Sequence, residues 1–155
     1  RRQRQMCIRD SGKTIQRQEL FDWSKEEDEQ IRYYSGTAVY KTTFRWKSKV
    51  KEDQQVYLNL GKVCDLATVR VNGIDCGTIW TAPYRADITA ALKKGVNELE
   101  IEVTNTWANA LKGADEGKAP FDGIWTNAKY RRAENTLLPA GLLGPLNFDV
   151  ANKNK

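Results

Sequence analysis

The stretch 67–107 reads ATVRVNGIDCGTIWTAPYRADITAALKKGVNELEIEVTNTW and decides the fold. Two alternating segments flank Asn72-Gly73, the pair that most favours a type I′ hairpin turn because both central residues need a positive φ. In the register set by this turn, apolar pairs share one face and an opposite-charge pair lies on the other. The expected pairs are Val71 with Ile74, Arg70 with Asp75, and Val69 with Cys76.

The second half of the stretch continues the antiparallel pattern. Asp87 can cap one helical turn over residues 88–92, and Gly95 can end it. Residues 97–103 then alternate strictly between apolar side chains and polar ones, mostly glutamates. Leu99, Ile101 and Val103 should therefore face a core while the glutamates face water.

Alternation also predicts strands over residues 38–46, 55–60 and 146–150, with a charged loop over 47–53 and a weaker strand signal over 13–20. Ser24 and Glu27 have the spacing of a capping box, which indicates a short helix over 25–30. Seven or eight short strands without a long amphipathic helix are typical of an antiparallel β-sandwich or jelly roll with one or two short helical turns. We expect one such domain over residues 13–155, after a flexible basic segment over 1–12 without periodicity.

The region from 107 to 139 breaks the pattern, since it scatters Gly, Pro, Asp and Asn among aromatics and contains no convincing strand. Irregular connections of about thirty residues are uncommon in a compact domain and are usually functional or disordered. The aromatic side chains of Phe121, Trp125 and Tyr130 argue against full disorder.

Charge and composition exclude several classes of function. The net charge of +5 comes from residues 1–18, which leave 19 basic and 19 acidic residues in the rest of the chain. A nucleic-acid surface would need cations clustered on one folded face, so no nucleic-acid partner is expected. No apolar run approaches the length of a membrane span. The chain begins with Arg and shows no signal-peptide core, which fits a fragment or a mature chain.

The chemistry of most catalytic sites is missing. The sequence has no histidine, which excludes Ser-His-Asp and Cys-His arrangements and the commonest zinc sites. Cys7, Cys64 and Cys76 are too dispersed for a metal cluster, and free thiols are expected. No cofactor or metal site is predicted, although calcium stays compatible with the oxygen-rich composition. The loop carboxylates Asp115, Glu116 and Asp122 are read as solvated rather than catalytic, so no catalytic residue is predicted.

The order of motifs resembles a known family. Val71-Asn72-Gly73, the aromatic loop 80–85, Asp87-Ile88-Thr89 and Gly95-x-Asn97 look like the jelly-roll, galactose-binding-like sugar-binding domain of family 2 glycoside hydrolases. The tryptophan-rich details, Thr78–Arg85 and Asn105–Trp107, are similar to the C-terminal sandwich of family 106 α-L-rhamnosidase-like enzymes. The resemblance implies a non-catalytic sandwich beside a separate catalytic barrel, in a secreted or periplasmic glycoside hydrolase.

Sugars stack their C–H faces on aromatic rings and take hydrogen bonds from polar side chains. The candidate sugar-binding residues lie on two loops: Trp80, Tyr84, Arg85, Asn105, Trp107, Asn109 and Trp125. Alternation from Cys76 places Trp80 on the inner face, which favours packing at the core or rim. For Trp107 and Trp125, packing and sugar contact stay equally open. Tyr84 and Arg85 fit a contact with a neighbouring domain equally well.

Three functions in different classes follow. The leading one is an accessory domain, expected to be monomeric, that supports or lines the active site of a catalytic domain in the same polypeptide. The second is an autonomous carbohydrate-binding module, and the third is an adhesion domain that recognises protein through the same loops. Independent catalysis comes last.

Overall fold

The computed structural model describes residues 4–8, 14–120, 122–127 and 136–152. Within these residues there are two α-helices, α1 Glu29–Arg32 and α2 Ala108–Asp115, and 3₁₀ turns at Trp23–Lys25 and Thr89–Ala91. The strands are β1 Arg4–Ile8, β2 Thr14–Arg17, β3 Thr37–Trp46, β4 Gln54–Asn59, β5 Lys62–Cys64, β6 Leu66–Val71, β7 Ile74–Ile79, β8 Arg85–Asp87, β9 Gly95–Thr104, β10 Gly141–Gly144 and β11 Asn147–Asn152.

The strands form an antiparallel sandwich, as the sequence predicts. A six-stranded sheet has the order β2-β1-β3-β9-β6-β7, a three-stranded sheet has the order β11-β4-β8, and β10 pairs with β5. One buried cluster contains residues from both larger sheets, including Val56 and Leu58 of β4 and Ile101 and Val103 of β9. The predicted alternation of β9 is confirmed, since Leu99, Ile101 and Val103 are buried. No helix among the described residues is long and apolar enough to cross a membrane.

The β6–β7 hairpin forms around the expected turn, where Asn72 has φ 53° and Gly73 has φ 79°. The pairs Val71–Ile74 and Arg70–Asp75 are confirmed, but Val69 does not pair with Cys76. Instead, Thr68 lies opposite Thr78 and Ala67 opposite Ile79, so β7 carries one extra residue between Asp75 and Thr78. An extra residue of this kind is a β-bulge, and it reverses the inward and outward alternation of everything that follows it.

Two motifs that carry the family resemblance are bonded to each other. The buried Asn97 accepts hydrogen bonds at Oδ1 from Asn72 Nδ2 (2.8 Å) and the Lys93 amide (2.9 Å). Its Nδ2 donates to the carbonyls of Lys93 (2.8 Å) and Gly95 (3.1 Å). Asn72 also donates to the carbonyl of Ala91 (2.8 Å). These asparagines therefore tie the hairpin turn to the start of β9, and their role is structural.

A second buried network ties the C-terminal strands to the first 3₁₀ turn. The Tyr40 hydroxyl accepts hydrogen bonds from Trp23 Nε1 (2.8 Å) and the Leu142 amide (3.1 Å). The Trp23 amide donates to the carbonyl of Ala140 (3.1 Å), and the Ala140 amide donates to Asp22 Oδ1 (3.0 Å). Burial raises the pKa of Tyr40 well above its usual value, so this hydroxyl stays neutral.

The N-terminal expectations need correction. Residues 4–8 of the segment 1–12, for which no regular structure was expected, form β1, which pairs with both β2 and β3. The reason is that Met6 and Ile8 are buried on the inner face despite their charged neighbours. Residues 1–3 and 9–12 lie outside the described residues. The predicted strand over 13–20 is confirmed in part, as β2 at Thr14–Arg17.

The helical expectations are partly wrong. The capping-box prediction at Ser24 fails, because Asp22 caps the 3₁₀ turn and Asp28 caps α1. Asp87 does accept the Thr89 amide (2.9 Å) at the start of the second 3₁₀ turn, as expected. The irregular region 107–139 contains α2, which the sequence analysis missed.

Candidate functional site

Trp80 and Trp107 leave the six-stranded sheet at the same end. Ala67 of β6 lies opposite Ile79 of β7 on one side and opposite Val103 of β9 on the other. Neighbouring strands are about 4.8 Å apart, so Ile79 and Val103 lie roughly 10 Å apart. Trp80 follows directly after Ile79, and Trp107 follows shortly after Val103. We call this surface, formed by Trp80 and Trp107, the tryptophan end.

Both rings of the tryptophan end are exposed, Trp80 by 70% and Trp107 by 57%. The expectation that Trp80 packs at the core or rim is therefore wrong. The bulge in β7 is the reason, because it places Ile79 on the inner face and turns Trp80 outward. Trp125 is also exposed, by 80%, in the irregular segment 122–127 after α2.

The two asparagines nominated for sugar contact are occupied by the protein itself. Asn105 is buried, donates to the carbonyl of Tyr34 (3.0 Å) and accepts from the Gly36 amide (2.9 Å). Asn109 is buried, donates to the carbonyl of Leu138 (2.8 Å) and accepts from the Leu138 amide (2.8 Å). The bonds of Asn109 thus hold Leu138, near the end of the irregular region, against α2. The bonds of Asn105 connect the residue after β9 to the residues before β3. Neither amide is presented to a ligand.

Tyr84 and Arg85 have different surroundings from each other. Tyr84 is half-buried against the core, and its carbonyl accepts the Leu60 amide (2.7 Å). Arg85 is exposed at the start of β8, with its guanidinium carbon 4.5 Å from the centre of the Tyr57 ring. This cation–π contact lies on the three-stranded sheet. Of the seven candidates, Trp80 and Trp107 are exposed and follow strands that end at the same end of the six-stranded sheet.

The described residues hold no arrangement suited to proton transfer or metal binding. Glu116 accepts a hydrogen bond from the Tyr33 hydroxyl (2.6 Å) and pairs with Lys112. These contacts, with Lys112 first, lower the pKa of Glu116, whereas a general acid needs a raised one. Asp115 and Asp122 are exposed. No group of three His, Cys, Asp or Glu residues in the described ranges could hold a metal ion. Cys7, Cys64 and Cys76 are free thiols.

A charged network that sequence analysis did not identify lies on the outer face of the six-stranded sheet. Glu100 contacts Lys41 Nζ (3.0 Å) and Arg70 Nη1 (3.2 Å), and Arg70 also contacts Glu102 (2.7 Å). The sequence contains the opposite charges of this network, but they face each other only once β3 and β6 are paired with β9. The pairing of distant strands cannot be read from local alternation.

This network predicts a pH dependence of stability. Lys41, then Arg70, hold the pKa of Glu100 below its usual value of 4.5. A carboxyl whose folded pKa is lowered stabilises the fold above its unfolded pKa and loses that effect as the pH falls through the folded pKa. We therefore expect Glu100→Gln to be less stable than the native chain at pH 7, with the difference shrinking below about pH 4.5. Urea unfolding at a series of pH values between 7 and 3 measures this, and a constant difference would contradict it.

With the geometry established, comparison with known proteins identifies the family. Residues 15–136 match the family model described as "Glycosyl hydrolase 2 galactose-binding domain-like". The chain belongs to this family. It is 40% identical over 157 residues to a protein of Formosa agariphila named "Putative beta-glucuronidase", covering 85% of this chain and 13% of that protein.

Solved structures agree. A rhamnosidase from Novosphingobium sp. PP1Y matches with a TM-score of 0.83 and 39% identity, covering 96% of this chain and 14% of that one. A β-glucuronidase from Ruminococcus gnavus matches with a TM-score of 0.55 and 19% identity over 66% of this chain and 20% of that one, which shows the fold alone. The chain thus spans about one seventh of the length of its more similar relatives.

These findings confirm the resemblance to the sugar-binding sandwich of family 2 glycoside hydrolases and the likeness to a rhamnosidase. The domain is a galactose-binding-like β-sandwich of the kind found in family 2 glycosyl hydrolases, and its relatives carry it as a small part of much longer chains.

Proposed function

We propose that these 155 residues form one accessory domain of a longer secreted or periplasmic glycoside hydrolase, and that the tryptophan end docks on the catalytic domain and lines its substrate cleft. The observation that carries the proposal is the pair of exposed rings, Trp80 and Trp107, at one end of the sandwich. Tryptophan is enriched among the residues that dominate interface energy. The names of the similar proteins support a glucuronide or rhamnoside as the substrate class.

The state of the nearby asparagines favours docking over an autonomous sugar-binding module. A sugar site needs polar groups that fix the hydroxyls as well as rings for stacking. The side-chain amide of Asn105 is hydrogen-bonded to the backbone of Gly36 and Tyr34, and that of Asn109 to the backbone of Leu138. These two candidates therefore supply no free amide for a sugar hydroxyl. Two exposed rings beside asparagines that are already hydrogen-bonded suit an apolar contact with another domain better than the recognition of an isolated sugar.

The first experiment titrates the 155-residue chain by calorimetry against rhamnose-, galactose- and glucuronate-containing oligosaccharides. We expect no saturable binding that depends on Trp80 or Trp107. Binding that the double variant Trp80→Ala/Trp107→Ala abolishes, with the fold intact, would establish the autonomous module instead. Because both rings are exposed, the double variant should change the free energy of unfolding by only about 1 kcal/mol or less.

The second experiment uses the longer polypeptide that contains this domain. In that protein, Trp80→Ala/Trp107→Ala should lower kcat/KM on aryl glycosides about tenfold or more, which corresponds to about 1.4 kcal/mol of transition-state stabilisation. The control is Val150→Ala, which removes an exposed apolar side chain from the edge strand β11 and should leave kcat/KM unchanged. Unchanged kcat/KM in the double variant would contradict docking at the cleft.

A further inference from the structure

The pair Asn72-Gly73, at the tip of the β6–β7 hairpin, is chemically labile as well as turn-forming. Glycine has no Cβ to shield its backbone nitrogen, so this nitrogen can attack the side chain of a preceding asparagine. Asparagine is among the residues that degrade when proteins are heated. The sequence contains an Asn-Gly pair once, at this turn. The conformation of the hairpin decides whether the reaction can occur in the folded chain.

The reaction is hydrolysis of the Asn72 side-chain amide through a cyclic imide. The Gly73 nitrogen attacks Asn72 Cγ, its proton passes by way of water to Nδ2, the Cγ–Nδ2 bond breaks, and ammonia leaves. Water then cleaves one of the two bonds from the Gly73 nitrogen to the imide carbonyl carbons. Cleavage at Cγ gives aspartate, and cleavage at the main-chain carbon gives isoaspartate, whose main chain is one carbon longer. One water is consumed for each ammonia released.

The backbone of the folded hairpin is unsuited to this ring closure. The Gly73 nitrogen would have to eclipse the Cα–Cβ bond of Asn72. The φ angles of 53° at Asn72 and 79° at Gly73 are those of a type I′ turn. In such a turn ψ of the first central residue is about 30°, which rotates the next nitrogen away from Cβ. The Asn72 amide also donates to the Glu98 carbonyl (2.9 Å), and rotation of the backbone would break this bond.

Three hydrogen bonds also fix the side-chain amide of Asn72. Its Nδ2 donates to the Ala91 carbonyl (2.8 Å) and to Asn97 Oδ1 (2.8 Å), and its Oδ1 accepts the Glu98 amide (3.0 Å). Turning Cγ toward the Gly73 nitrogen would break them. Gly73 itself is exposed, with no atom within 4 Å of the position of an added Cβ. Exposure alone therefore favours the reaction in the folded chain, whereas the conformation opposes it.

Neither product fits the site that Asn72 occupies. Aspartate has an oxygen in place of Nδ2, and this oxygen would face two acceptors, the Ala91 carbonyl and Asn97 Oδ1. Reversing the Asn97 amide to supply a donor would break its bonds to Lys93 and Gly95. Isoaspartate adds a main-chain carbon to a two-residue turn that fixes the register of the hairpin. Both products therefore destabilise the hairpin.

We propose that Asn72-Gly73 is a self-modification site that folding closes. The native hairpin blocks deamidation of Asn72, whereas a chain that is unfolded, or whose hairpin has opened, deamidates and irreversibly loses native stability. When the hairpin recloses faster than the amide hydrolyses, the rate in the folded protein follows the population of the open form. The modification thus accumulates in chains that spend time unfolded. The proposal does not depend on docking at the tryptophan end.

The deamidation rate of Asn72, measured by mass spectrometry of proteolytic peptides from the 155-residue chain, tests the proposal across a series of urea concentrations at constant pH. We expect a rate in the native chain at least about a hundredfold below that in the unfolded chain, because the open form of a stable fold is rare. Between these limits the rate should rise with the unfolded fraction. The control within the same chain is isomerisation at Asp122-Gly123, the same cyclisation at an exposed aspartate, which should change far less on unfolding.

The variant Asn72→Asp reproduces the aspartate product. At pH 7 it should lower the ratio of folded to unfolded chain at least about tenfold, because two hydrogen bonds are lost and acceptors face each other. Asn152→Asp adds the same charge on the exposed strand β11 and should change this ratio by less than about threefold. Either of two results would overturn the proposal: deamidation of Asn72 as fast in the native chain as in the unfolded one, or Asn72→Asp as stable as Asn152→Asp.

Discussion

Asn97→Ala is expected to destabilise the domain by about 3–5 kcal/mol, because it removes four hydrogen bonds from a fully buried site. The amide and carbonyl of Lys93, the carbonyl of Gly95 and the side chain of Asn72 would each lose a partner where water does not replace it easily. Denaturant unfolding, followed by tryptophan fluorescence, measures the change. Asn152→Ala, on the exposed edge strand β11, is the matched control and should cost less than about 0.5 kcal/mol.

A double-mutant cycle tests whether the two asparagines act as one unit. Asn72 bonds to Asn97 and also holds the Ala91 carbonyl and the Glu98 amide. If the hairpin turn and the start of β9 depend on each other, the loss in Asn72→Ala/Asn97→Ala will be smaller than the sum of the single losses. Additive losses, or a small effect of Asn97→Ala alone, would show that the contact is incidental.

The same pair shows what the sequence could and could not predict. The Asn-Gly turn and the alternation of residues 97–103 are local signals, and both elements form as predicted. That Asn97 reaches across to Asn72 depends on the pairing of β6 with β9, which joins residues far apart in the chain. Local patterns therefore predicted the antiparallel sandwich, while the contacts that fix it needed the tertiary structure.

Trp80, at the candidate site, is a second case in which local alternation did not predict the position of a side chain. Alternation counted from the turn is reliable as far as Asp75, and then one extra residue inverts it. Gly77, at φ +102°, was the available signal, because an isolated glycine within a strand often marks a bulge. The backbone bonds of Asn105 and Asn109 were equally hidden from the sequence, since polar side chains after a strand satisfy neighbouring backbone as readily as they meet a ligand.

The second large effect is expected from Gly141→Ala, at the start of β10. A Cβ on Gly141 would lie 2.4 Å from Trp23 Nε1 and 2.6 Å from its Cε2, and the backbone has φ +96°. Trp23 is fully buried and held by Tyr40 and Ala140, so it has no room to move. Left-handed strain of about 1–2 kcal/mol and overpacking of about 1–3 kcal/mol together should cost roughly 2–5 kcal/mol.

Gly95→Ala separates the two contributions, because Gly95 has a similar φ of +104° but no atom within 4 Å of its added Cβ. Denaturant unfolding should show a loss of only about 1–2 kcal/mol for this control, from strain alone. In a Trp23→Phe background the clash is relieved, so Gly141→Ala should then approach the cost of the control. If Gly141→Ala and Gly95→Ala lost the same free energy of unfolding in the native background, the Trp23 side chain would have to be able to move away from the added Cβ. The C-terminal strands would then not depend on this contact for their position.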